Sequence, residues 1–98
     1  MDGSAGWSLE QVGGGRLEAV NRTGQLVYDV RLSSHGAVVV AGQRNWGWSL
    51  PAVEAGRALS FSFALPGAAY QDPPHIRVEY KLSSDEDAPV YEDRFNLL

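Results

Sequence analysis

Alternation of apolar and polar residues dominates this chain, and a period of two sets one face of a strand against a core, where a period near 3.6 would mark a helix. The strongest case places Leu59, Phe61, Phe63 and Leu65 on one side and Ser60, Ser62 and Ala64 on the other. Ile76, Val78, Tyr80 and Leu82 repeat the pattern against Arg77, Glu79 and Lys81. These two segments predict facing inner surfaces. Residues 26–32 predict a third strand, with Leu26, Tyr28, Val30 and Leu32 inward and Asp29 and Arg31 outward.

Shorter runs complete the set. Trp7 and Leu9 open a first strand and Leu17 and Ala19 carry the inward face of a second, with the turn-forming Gly13, Gly14 and Gly15 between them. Asn21-Arg22-Thr23-Gly24 predicts a hairpin into residues 26–32, since Asn tolerates tight turns and Gly a positive φ. After the turn-like Ser33-Ser34-His35-Gly36, the β-branched run at residues 37–41 predicts a short strand, and residues 43–50 a polar and aromatic connection. Residues 66–74 read as a long loop and 83–89 as an acidic turn. Tyr91, Phe95 and Leu97 then form a last strand, with Asp93 the one polar residue on their face. Pro51 and Gly56 limit any helix at residues 52–57 to about one turn. The pattern predicts an all-β, immunoglobulin-like sandwich of about seven antiparallel strands, filling residues 1–98 as a single domain.

Composition narrows the chemistry. The 98 residues suffice for one core, and with no cysteine there is neither a disulfide framework nor a thiolate metal site nor a thiol nucleophile. The opening residues 1–6 do not read as a secretory signal and no run approaches the length of a bilayer span, so a cytoplasmic protein without membrane contact is expected. A net charge of −4, with eight scattered Lys and Arg, repels phosphate backbones and predicts no nucleic-acid partner. The preference for Arg over Lys, with abundant Ala and Gly, matches the codon bias of a GC-rich bacterium.

Leu17-Glu18-Ala19-Val20-Asn21-Arg22-Thr23-Gly24, followed by Tyr28-Asp29-Val30-Arg31-Leu32, resembles the opening of bacterial CARDB-type immunoglobulin-like domains. Leu50-Pro51 with Glu54-Ala55-Gly56-Arg57-Ala58-Leu59-Ser60-Phe61-Ser62-Phe63 is similar to the segment that leads into the fifth strand of those domains. The Trp7-Ser8-Leu9 start also resembles small uncharacterised actinobacterial proteins. The likeness covers most of the chain and implies a fold; it carries no catalytic residue.

No catalytic constellation stands out. His35 and His75 lack partners at metal-ligand spacing, no nucleophile elbow frames a serine, and Gly13-Gly14-Gly15 is followed by neither Lys-Ser nor Lys-Thr. Asp85-Glu86-Asp87, even with Asp72, Glu92 and Asp93 nearby, matches no calcium loop and reads as a solvated hairpin tip. Asn21-Arg22-Thr23 fits a glycosylation sequon and reads as a turn. The segment with binding character is Arg44-Asn45-Trp46-Gly47-Trp48, where loop aromatics can stack on a sugar or fill a partner's pocket. Trp48, just before Leu50-Pro51, is expected in the core; Trp46 is expected partly exposed, with Tyr70 as companion. These features predict a non-enzymatic, cofactor-free module that pairs a sheet edge with another protein or with itself. Arg44, Asn45, Trp46 and Tyr70 are the candidate binding residues, and the alternative is a small carbohydrate-binding module using the loop aromatics Trp46 and Tyr70.

Overall fold

The computed structural model describes residues 6–67, 69 and 71–98. Eight strands are formed among them: β1 (Trp7–Gln11), β2 (Arg16–Asn21), β3 (Val27–His35), β4 (Val39–Val40), β5 (Gly47–Val53), β6 (Ala58–Ala64), β7 (His75–Lys81) and β8 (Tyr91–Asn96). They make two four-stranded antiparallel sheets, ordered β1-β2-β6-β4 and β5-β3-β7-β8. Hairpins join β1 to β2 and β7 to β8; each of the other connections passes from one sheet to the other. That is the Greek-key winding of an immunoglobulin-like β-sandwich. No helix long and apolar enough to cross a membrane occurs among the described residues.

The core lies between the sheets. Leu17, Ala19, Leu59 and Phe61 from one meet Val30, Leu32, Ile76, Val78 and Tyr80 from the other, all buried. Each large aliphatic buried here contributes roughly 1.5–3 kcal/mol. Phe63 is half-buried, and Leu65 and Leu82, just past their strand ends, are exposed. The alternation at β6 and β7 thus points inward as the pattern predicts, except at its ends.

Four expectations are corrected. In β3 the inward residues are Val27, Val30 and Leu32, while Leu26 is exposed before the strand begins and the strand runs on through Ser33, Ser34 and His35, which the pattern reads as a turn. Asp29 has a left-handed φ of 48°, and β3 gains one residue over β7 between Tyr28 and Arg31, so the bulge reverses which side faces the core. The 21–24 turn is not a hairpin, because β2 and β3 lie in different sheets. Asn21 is buried there, and its amide donates to the carbonyls of Gln25, Val53 and Glu54 while its side-chain oxygen accepts from Thr23. It fastens a corner between the sheets.

The third correction concerns residues 43–50, which are not wholly a connection: β5 begins at Gly47 and runs through Pro51 to Val53, where a turn and no helix follows. Residues 37–41 supply the fourth, since strand structure is confined to Val39–Val40. Ala41 and Gly42, both at positive φ, then close a two-residue turn through reciprocal hydrogen bonds between Val40 and Gln43. The long loop is anchored at Gly36. Ala37 N–H donates to the Asp72 carbonyl, and Gly36 approaches so closely that a Cβ on it would lie 2.2 Å from the Pro73 oxygen.

Candidate functional site

The predicted binding loop is rearranged by this ladder. Ser34 N–H donates to the Trp46 carbonyl and Trp46 N–H to the Ser34 hydroxyl, so the β3–β5 pairing extends past Gly47. Trp46 and Trp48 therefore share a face, and both turn inward. Trp46 goes deeper: it is 8% exposed, with its ring 4.9 Å from that of Phe61 in the opposite sheet. Trp48 is half-buried nearer the edge, 6.2 Å from Trp46. The expected exposure of Trp46 and burial of Trp48 are thus reversed. The Arg31 guanidinium lies over Gly47, 2.7 Å from where a Cβ would sit, so a side chain there would displace the arginine. Arg44 and Asn45 are exposed, Arg44 in a 3.7 Å ion pair with Asp72 and Asn45 at a φ of 54°. Tyr70 lies outside the described residues. The Trp46 indole is thus taken up by the core, and Trp48 is the described aromatic of this segment that keeps partial exposure.

The acidic residues are also dispersed. Asp85, Glu86 and Asp87 are exposed on the turn, Glu92 points outward and pairs with Arg77 at 3.7 Å, and Asp93 faces the core. Among the described residues no three His, Asp or Glu side chains gather around one point.

The outer face of the β5-β3-β7-β8 sheet holds what the sequence pattern hid. Register sets His35, His75 and Asn96 in one row, Ser33, Arg77 and Arg94 in the next, and Arg31, Glu79 and Glu92 in a third. The two imidazoles stack, centroids 4.8 Å apart and planes within 14°. His35 Nε2 is 2.8 Å from the Ser33 hydroxyl, and an Arg94 N–H donates to His75 Nδ1 at 3.4 Å. His75 Nε2 is buried with no well-aligned partner among the described residues. Burial lowers the pKa of His35, and Arg77 and Arg94 lower it further against the opposing pull of Glu79 and Glu92. Burial is likewise the main cause of the lowered His75 pKa, aided by Arg94, His35 and Arg77 and opposed by the Pro73 carbonyl. The Ser33–His35 contact is a nucleophile–base geometry in outline. Ser33 is nevertheless buried, His35 is backed by a second imidazole where a triad has a carboxylate, and the open depression of about 450 Å³ is lined instead by Asp29, Val30, Arg31, Ser49, Leu50 and Pro51.

The sheet edges differ in what they leave free. β4 has two residues, and β5 is interrupted by Pro51, which has no N–H to offer a partner. At β1 the outward Trp7 N–H is taken by the Asp93 carboxylate at 3.0 Å, which also accepts from Gly6 N–H at 2.8 Å. Tyr80, whose pKa is raised by burial and then by Asp93, lies beside the same carboxylate. β8 is six residues long, without proline and with an unbroken register on β7. Leu97 N–H donates to the Pro74 carbonyl, and bonded positions alternate along an antiparallel pair. Tyr91, Asp93 and Phe95 therefore pair with β7, while the backbone groups of Glu92, Arg94 and Asn96 point outward. Val90 and Leu98, 60% and 58% exposed, flank this edge.

No family model, curated protein or solved structure matches the chain.

Proposed function

We propose that this chain is a non-enzymatic interaction module that engages another protein, or a second copy of itself, by adding a strand to β8. The observation that carries the reading is the contrast between edges: β4 is two residues long, β5 is interrupted by proline, β1 has its first outward N–H taken by Asp93, and β8, six residues long, presents a row of backbone donors and acceptors with none of these obstacles. Main-chain pairing needs no special side chains, which fits a surface without a metal-holding cluster among its described residues. A protein partner suits the net charge of −4 better than a nucleic acid does. The reading includes a cytoplasmic setting, and a chain with no cysteine needs no oxidising compartment to fold.

Arg94→Pro tests it. Proline there removes one outward N–H and leaves the β7 ladder intact, so the domain stays folded while capture of its partner is lost. Capture of the same partner by the folded variant with undiminished affinity would contradict the proposal.

A further inference from the structure

We infer that the partner of β8 is a second copy of this chain, running antiparallel about a two-fold axis at Asp93, so that Glu92 of each copy faces Arg94 of the other. The inference rests on the edge reading above and names its occupant. Its basis is charge. Within one copy, Glu92 on β8 stands opposite Glu79 on β7 and Arg94 stands opposite Arg77, with the 3.7 Å Arg77–Glu92 ion pair running diagonally between the two rows. Like charges directly across a sheet are unfavourable, and each of these rows ends in the same sign at the open edge. A two-fold copy continues the first row as Glu79, Glu92, then Arg94 and Arg77 of the second copy, and the second row as its mirror.

Other registers do not do this. A two-fold at Arg94 sets that arginine against itself, and one at Glu92 sets glutamate against glutamate. A two-fold at Phe95 places Arg94 against the neutral Asn96. The Asp93-centred register also keeps Glu92, Arg94 and their outward backbone groups at the bonded positions, as strand addition requires. On the inner side, Tyr91, 43% exposed, meets the half-buried Phe95 of the second copy. Asp93 stands beside its own counterpart, but its carboxylate is turned into its own sandwich, held by the Gly6 and Trp7 amides. The product is one continuous eight-stranded sheet with a β5 at each end, and β5 is the strand that Pro51 closes to further growth.

Sedimentation equilibrium on the whole chain tests the inference through charge exchange. The wild type is expected to be dimeric, with Arg94→Glu and Glu92→Arg each weakening association at least about tenfold. The doubly exchanged variant Glu92→Arg/Arg94→Glu regains the dimer, and an equimolar mixture of the two single variants forms a heterodimer, which also shows that each is folded. Failure of both rescues, or a wild type that is monomeric at its highest soluble concentration, overturns self-pairing. In that event, loss of a different partner on Arg94→Pro leaves the edge reading standing, and an unaffected partner removes both.

Discussion

Trp46 and Trp48 are two residues apart and occupy different depths of the same face, so truncating them has different consequences. Trp46→Ala empties a site packed against Phe61 and is expected to cost about 3–5 kcal/mol in denaturant unfolding. Trp48→Ala, at a half-buried position, is expected to cost clearly less; equal losses would show that depth is not what separates them. The stacked histidines give a pH dependence of fixed sign. Both pKa values lie below the ordinary 6.5 in the folded chain, so the unfolded chain binds more protons as pH falls through that value. Stability from this pair is complete above about pH 6.5 and is lost as pH falls towards the folded pKa values. The groups facing the pair are Arg77 and Arg94, which reinforce the effect, and Glu79 and Glu92, which oppose it. Thermal melts should therefore show a drop in Tm between pH 7 and 5 that is shallower in His75→Gln. An identical slope in that variant would assign the loss to other groups.

Short irregularities decide how elements are joined. Ala41 holds a left-handed φ of 49° in a turn whose next residue is Gly42, a place where Asn-Gly is the favoured pair. Ala41→Asn is expected to raise stability by about 0.5–1 kcal/mol, and a loss on chemical denaturation would contradict the turn assignment. Asp29 is the counterpart in β3, where Asp29→Val would force a β-branched residue into the left-handed region at a cost of about 1–2 kcal/mol while Asp29→Gly is tolerated. These residues also explain what pattern reading reaches. β6 and β7 are regular, and their inward positions follow from alternation alone. β3 carries the same signal, yet one left-handed aspartate reverses its parity and moves burial from Leu26 to Val27. β5 alternates Trp48, Leu50 and Ala52 with Ser49 and Pro51, but the proline that marks it as an edge also disguises it as a loop. The His35–His75 stack is a fact of register between residues 40 positions apart, and local spacing holds no trace of it.

At the scale of the whole molecule, the sandwich closes one flank through Asp93, whose carboxylate joins β8 to Gly6 and to Trp7 at the start of β1. Asp93→Ala leaves two backbone donors unmet and is expected to cost about 1–3 kcal/mol, a loss that Asp93→Asn, which keeps an acceptor oxygen, should partly recover. The same clamp occupies the first outward N–H of β1, and with Pro51 in β5 and the brevity of β4 it makes β8 the edge least obstructed for strand addition. Residue-resolved amide hydrogen exchange tests this most directly, at low concentration and again with the partner strand present. Glu92, Arg94 and Asn96 amides should exchange rapidly in the isolated chain while Asp93 and Phe95 are protected, and association should slow exchange at Glu92, Arg94 and Asn96 together. Protection arising instead along β5 or β1, with the Glu92, Arg94 and Asn96 amides unchanged, would contradict the account.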